Sequence, residues 1–303
     1  MKHIIFWGTP EFALPSLDAL HSAGYVRGVV TQPDKRQGRG RKESIPPPVK
    51  AAAQKYQIPL AQPEEFDGAF REWLNEHGPA TFFVVAYGTI IPDSILALSE
   101  LPAINLHPSL LPEFRGASPI EGALMQGREL TGLTLMQLDS ELDHGPILAQ
   151  KKIAIRPTES YTQLSEKLSL ASAQFVGKYI PQYLSGALEA IPQDHVRATH
   201  CKRLTLSDGA LNLSNNTAEL YNMIRALNPR PGTFIMWNGK RVKIIDARPV
   251  KGTRSAARFS RSENGKLILT TRDGMLEVVT VQLEGKKPMS SADFLNGYPE
   301  ILG

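Results

Sequence analysis

Three residue types that together perform acyl-transfer chemistry fall in two short segments of this 303-residue chain. The first reads Asn105-Leu106-His107-Pro108-Ser109-Leu110-Leu111-Pro112, and the second Leu142-Asp143-His144-Gly145-Pro146. Asn105 and His107 are two apart, so an extended backbone sends both side chains from one face. Pro108 cannot donate to a ladder, which places the pair at the end of a strand. Strand ends are where open α/β sheets bind ligands. Asp143 arrives from elsewhere, at the head of a Gly-Pro turn. An amide N–H and a protonated imidazole can hold the oxyanion that develops when an amine attacks an acyl carbon, while a carboxylate orients the imidazole and helps move protons. Taken singly, His107 also fits a satisfied core histidine, and Asp143 an ordinary turn residue.

Elements able to position these residues are legible around them. Strand and helix signals alternate through the first half, which predicts a mostly parallel, Rossmann-like sheet with helices on both faces. His3 to Trp7, Tyr25 to Thr31, Thr81 to Ala86 and Ala103 to His107 read as strands, the third so apolar that both its faces should be buried. Thr9 is placed to cap a helix opening at Pro10. Further helices are predicted over Pro47 to Tyr56, Phe66 to His77, Ile120 to Gln126 and Tyr161 to Leu184, with strands near Leu133–Leu138 and Ile147–Ile155. The Gly8-Thr9-Pro10 turn lacks the Gly-x-Gly-x-x-Gly pattern and does not support a dinucleotide site. The expected domains are 1–187, a linker over 188–205, and 206–303. In the last, a helix at Thr217 to Leu227 precedes short strands, and Asn238-Gly239 is a two-residue hairpin signal. Several short strands with turn signals predict a small β-barrel.

Charge is distributed unevenly. The net charge is +4, yet residues 197–303 hold 17 Lys and Arg against 9 Asp and Glu. Residues 34–50 hold Lys35, Arg36, Arg39, Arg41, Lys42 and Lys50 against Asp34 and Glu43. Asp34 to Ser44 has no apolar residue, so this loop is expected to be solvated and mobile. Gly38 and Gly40 give Arg39 backbone freedom, and guanidinium groups grip phosphate. A basic loop beside a catalytic cleft together with a basic appended domain points to a phosphate-rich partner. No apolar run approaches the length of a membrane span, and with a strand starting at His3 no leader is expected. The single cysteine, Cys201, excludes an internal disulfide and a cysteine zinc cluster. These features suit a bacterial cytoplasm.

The wording of the motifs resembles the formyltransferases that use 10-formyltetrahydrofolate. Asn105 to Pro112, Phe114-Arg115-Gly116, and Thr131-Gly132 through Met136 to Asp143 carry that resemblance. The branch acting on methionine-charged initiator tRNA is matched by Gly8-Thr9-Pro10-Glu11-Phe12, Thr31-Gln32-Pro33-Asp34-Lys35, Gly38-Arg39-Gly40, Val84-Val85-Ala86-Tyr87-Gly88 and Gly285-Lys286-Lys287-Pro288-Met289. It implies a C-terminal barrel of the OB-like, tRNA-binding kind. It implies formyl transfer from 10-formyltetrahydrofolate to the α-amine of the methionyl-initiator tRNA, in support of translation initiation, by direct attack with Asn105, His107 and Asp143 catalytic. Folate contacts are expected from Ser109, Leu110, Leu111, Pro112, Tyr87 and Gly88. For tRNA, Arg39 is expected first, then Lys35, Arg36, Arg41 and Lys42. No metal is required, no membrane is involved, and a monomer is expected.

The chain departs from the family pattern at His144, where Thr is usual, and at Glu113, Arg230 and Asn212. A formyltransferase acting on a small amine, or a hydrolase releasing formate from the same donor, would share the first domain. Neither accounts for the two basic regions together. An RNA-binding protein with a decayed enzyme domain would not need the intact trio.

Overall fold

The structure, a computed structural model, describes residues 2–37, 43–251 and 257–302. Seven strands form the larger sheet: β1 (Ile4–Gly8), β2 (Val26–Val30), β3 (Leu60–Ala61), β4 (Thr81–Val85), β5 (Ile104–His107), β6 (Leu130–Gln137) and β7 (Ile147–Ala154). Their order is β7-β6-β5-β4-β1-β2-β3. The pairs β1–β2, β1–β4, β2–β3 and β4–β5 are parallel, and β5–β6 is antiparallel. Every residue of β1 and of β4 is buried. Only a strand covered on both faces tolerates such unbroken apolar sequence. Trp7 and Phe82 anchor this core with Phe70 and Tyr87.

Helices occupy Leu14–Ser22, Pro48–Lys55, Gly68–Glu76 and Tyr161–Leu184, close to the predicted spans. The first begins later than expected, after a 3-10 turn at Glu11–Ala13. Thr9 does not cap it. The Thr9 hydroxyl instead donates to the Tyr87 carbonyl at 2.7 Å, because a bond to the neighbouring strand connection outcompetes a local cap.

By their contacts the residues fall into two units: Met1–Gly116, Thr131–Ile153 and Ser165–His200; and Ala117–Leu130, Ala154–Leu164 and Cys201–Gly303. The segment expected as a linker is partly built into the first unit. Ile191 bridges to Ile147 through paired backbone bonds of 2.8 and 2.9 Å, and Gln193 is buried.

The second unit carries β8 (Thr233–Trp237), β9 (Lys240–Val250), β10 (Phe259–Arg261), β11 (Leu267–Thr270), β12 (Met275–Leu283) and β13 (Met289–Ser290). They form an antiparallel half-barrel ordered β8-β9-β12-β11-β10, with β13 added on β12. Asn238 and Gly239 join β8 to β9 with φ of 47° and 72°. Two successive positive φ values match the twist of the flanking strands, as the Asn-Gly signal predicted. The core gathers Ile235, Val242, Ile244, Leu269, Leu276 and Phe294 against the helix Thr217–Leu227. The helix Pro119–Met125 belongs to this unit too, and Arg225 donates to the Glu159 carbonyl at 2.9 Å.

Candidate active site

Strand β5 brings Asn105 opposite Met136 and His107 opposite Thr134 of β6. His107 is buried and Asn105 half-buried. The chain then turns through Pro108 to Pro112, and two neighbouring strands pin that turn. The Thr134 hydroxyl donates to the Ser109 carbonyl at 2.7 Å and accepts from Leu111 N–H at 3.2 Å. The Gln150 amide of β7 donates to the Leu111 carbonyl at 2.8 Å and to the Thr134 hydroxyl at 2.9 Å. The Ser109 hydroxyl donates to the Glu113 carbonyl at 2.6 Å. Gly132 makes this approach possible: a Cβ there would lie 2.2 Å from the Lys151 carbonyl oxygen and 2.4 Å from Leu110 Cδ2. Thr134 and Gln150 escaped the sequence reading because nothing in a strand pattern says which polar residue will find a loop.

Beyond the turn, Phe114 adopts φ +60° and offers its carbonyl to His107 Nε2 at 2.9 Å. A carbonyl only accepts, so Nε2 carries a proton. The other nitrogen, Nδ1, faces Asp143 Oδ1 at 3.4 Å, longer than a fully closed charge-assisted bond. Asp143 Oδ2 accepts from Gly116 N–H at 2.8 Å. Burial by itself would raise the Asp143 carboxyl. The charge and hydrogen bonding of His107, the Gly116 N–H and the Arg115 charge more than reverse this and hold it below its ordinary value. The Asn105 side chain makes no hydrogen bond among the described residues, which leaves its amide free to meet a substrate.

Asp143 stands at φ +52°, a left-handed conformation uncommon for non-glycine residues though less so for Asp than for most. Gly145, two residues on, is pressed so close to the Gln137 carbonyl that a Cβ would sit 2.1 Å from its oxygen. His144 Nδ1 bonds Asp139 Oδ2 at 2.7 Å, and its ring stacks on His195 with centroids 4.1 Å apart. The departure at His144 thus sets a second imidazole beside Asp143, held away from it by Asp139.

The remaining predicted residues meet mixed outcomes. Gly88 is exposed, and Leu110 and Pro112 are half-exposed. The side chains of Ser109, Leu111 and Tyr87 are buried, at 0, 3 and 2% exposure. Tyr87 packs edge-on against Trp7, 5.2 Å between centroids, and burial pushes its hydroxyl up to about 12. Its ring packs within the core of the sheet, among Trp7, Phe70 and Phe82. For the basic loop, Lys35–Gln37 pairs antiparallel with Glu43–Ile45, so the backbone at the base of the loop is a hairpin. Asp34 anchors it, accepting from Lys50 at 2.7 Å and from Gln62 at 2.8 Å. Lys50 is therefore engaged in structure. The side chains of Lys35 and Arg36, and all of Arg39, Arg41 and Lys42, lie outside the described residues. Among the described residues no group of three His, Cys, Asp or Glu side chains is placed to hold a metal ion, and no helix is long and apolar enough to cross a membrane.

An Asn and a His at a strand end facing a buried carboxylate are groups with which an enzyme can transfer or hydrolyse an acyl group. The formyl transferase signature matches residues 1–178, and the formyl transferase, C-terminal domain, signature matches residues 203–299. The chain belongs to the formyl transferase family. Within it, the similarity runs through the methionyl-tRNA formyltransferases. That of Thermodesulfovibrio yellowstonii is 40% identical over 296 residues, covering 97% of this chain and 95% of the relative. That of Chloroflexus aurantiacus is 39% identical over 303 residues, covering 97% and 96%. Among solved structures, an N-formyltransferase from Helicobacter canadensis in complex with folinic acid and dTDP-3-aminofucose superposes with a TM-score of 0.71 at 17% identity, covering 92% of this chain and 98% of that one. A methionyl-tRNA formyltransferase from Clostridium thermocellum gives 0.56 at 17% identity, covering 93% and 99%. Those two likenesses are of fold. The family uses formyl-folate donors.

Proposed function

We propose that this chain transfers the formyl group of 10-formyltetrahydrofolate to the α-amino group of methionyl-initiator tRNA. The observation that carries the reading is the free Asn105 amide beside a His107 held between Phe114 and Asp143, in a chain similar over nearly its whole length to methionyl-tRNA formyltransferases. The unprotonated amine attacks the formyl carbon, forming the new C–N bond and a tetrahedral oxyanion. The Asn105 N–H groups and the His107 Nε2–H meet that oxygen, the latter released from the Phe114 carbonyl as the negative charge develops. Asp143, ionised, faces Nδ1 and orients the ring. Collapse breaks the bond between the formyl carbon and folate N10. The proton lost by the amine passes, with Asp143 assisting through water, to N10. No covalent enzyme intermediate is needed for this balance.

The donor is bound by the exposed surface of the 108–112 turn and the 84–91 segment: Gly88, Leu110, Pro112 and the turn's backbone groups. Flat apolar walls with a few polar backbone groups suit a pterin ring. Ser109, Leu111 and Tyr87 support that surface from beneath. The basic residues between Asp34 and Ser44, Arg39 first among them, and the basic second unit take the RNA phosphates.

The test is a formyl-transfer assay with 10-formyltetrahydrofolate, offering methionyl-initiator tRNA, free methionine with uncharged tRNA, or an amino-sugar nucleotide. Formylation confined to the charged tRNA, and lost in His107→Ala, is the expected result. Transfer to the amino sugar, or formate release without an acceptor, would overturn the tRNA assignment.

A further inference from the structure

Gln193 lies in the stretch that composition marks as a linker, 50 residues beyond Asp143, and it is 6% exposed. Its side chain uses every hydrogen-bonding position an amide has. Nε2 donates to the Asp143 carbonyl at 3.0 Å and to the Gly145 carbonyl at 2.7 Å. Oε1 accepts from Arg115 Nε at 3.2 Å and from Arg115 Nη2 at 2.7 Å. Arg115 is itself buried, and the same Nη2 donates to His195 Nδ1 at 2.9 Å. Next to Arg115 is Gly116, whose N–H holds the Asp143 carboxylate. One side chain therefore ties the backbone on either side of residue 144 to the segment that grips the Asp143 carboxyl.

We infer that Gln193 is a positioning residue for formyl transfer, a two-pronged clamp that holds the Asp143 turn in its left-handed conformation and so sets the carboxylate against His107. The inference rests on the reading of Asp143 as the catalytic carboxylate. Left-handed backbone at Asp143 is unfavourable for a residue with a Cβ, and such conformations persist where the surroundings over-determine them. Three contacts do so here: the Gly116 N–H on the carboxylate, and the two Gln193 N–H groups on the carbonyls of 143 and 145. The His107 to Asp143 distance of 3.4 Å is already long, so the pair has little tolerance for further drift. Gln193 touches neither His107 nor the position of the reacting carbon on the reading above, and it acts only through Asp143.

The choice of substitution separates positioning from filling. Gln193→Glu keeps the volume and still accepts from Arg115, now with opposite charge, but has no N–H to give to either carbonyl. The expected result is a kcat lower by about 10- to 100-fold, the cost of an ångström-scale misplacement. KM for both substrates should stay within about twofold, while the melting temperature falls by a few degrees because two buried carbonyls lose their donor and only the Arg115 contact survives. Arg115→Lys is the second variant. It keeps the charge, removes the two-pronged grip on Oε1, and should lower kcat in the same direction. Unchanged kcat in either variant while folded, or losses confined to KM, would overturn the inference. Asp143→Asn is measured alongside. If it retains full kcat, the underlying reading of Asp143 fails. If it is inactive while Gln193→Glu is fully active, only the role of Gln193 fails.

Discussion

The turn holding Asp143 and the basic surface of the second unit use polar groups in opposite ways. Around Asp143 the functional groups are buried and nearly saturated with partners: His107, Arg115, Asp143 and Gln193 are each under 9% exposed. In the second unit, Lys202, Arg203, Arg230, Lys240, Arg248, Lys286 and Lys287 stand exposed over a core that is almost wholly apolar. Its buried guanidinium, Arg225, is spent on backbone carbonyls and Asn222. The difference fits what the proposed function asks of each region. A reacting carbon needs donors fixed before the charge appears, and the groups that fix them need burial and a complete set of partners, while the Asn105 amide that would meet the substrate stays open. Phosphates along an RNA need summed charge, which works through solvent and tolerates mobile side chains. Damage to the first region should therefore appear in kcat, and damage to the second in the affinity for RNA and its dependence on salt.

The largest effect should come from the centre of the first region. His107→Ala or Asn105→Ala is expected to lower kcat by about 10²- to 10³-fold, with the melting temperature little changed for Asn105→Ala, read by single-turnover formyl transfer. A loss seen only in KM would erase the contrast between the regions. Next is packing beneath the 108–112 turn. Gly132→Ala would drive a methyl into the Lys151 carbonyl and Leu110, costing about 1–3 kcal/mol by chemical denaturation. An unaffected midpoint would show that the turn can shift. A smaller, pH-dependent effect belongs to Asp143. Its folded carboxyl lies below its ordinary value of 3.8, so ionisation contributes stability that is fully present above that value and is lost as pH falls through the lower folded one. The stability gap between the parent and Asp143→Asn should accordingly narrow on acidification below about pH 4. A gap that widens would contradict the lowered carboxyl. The smallest effects are at the surface. Lys286→Ala and Lys287→Ala should each weaken tRNA binding modestly, reduce the salt slope by about one, and leave stability within about 0.5 kcal/mol. A fall in kcat with an unchanged salt slope would move these lysines into the other class.

Much of the catalytic half was legible from spacing. Period-two placement put Asn105 and His107 on one face, and Pro108 marked the strand end. Unbroken apolar runs identified β1 and β4, and Asn238-Gly239 identified its hairpin. The cap assigned to Thr9 was not legible, since its failure depends on one contact, the Thr9 hydroxyl on the Tyr87 carbonyl, across 78 residues of chain.

Sequence alone laid out most of the elements, brought Asn105, His107 and Asp143 forward as a candidate trio, and showed the division of charge, because these follow from local backbone preference and from residue type. Tertiary structure decided which partners complete each group: Thr134 and Gln150 on the turn, Phe114 and Asp143 on His107, Gln193 on Asp143. Those bonds join segments up to 50 residues apart. A buried polar group takes whatever partner the packed chain brings within about 3 Å, and no local pattern announces which one that is.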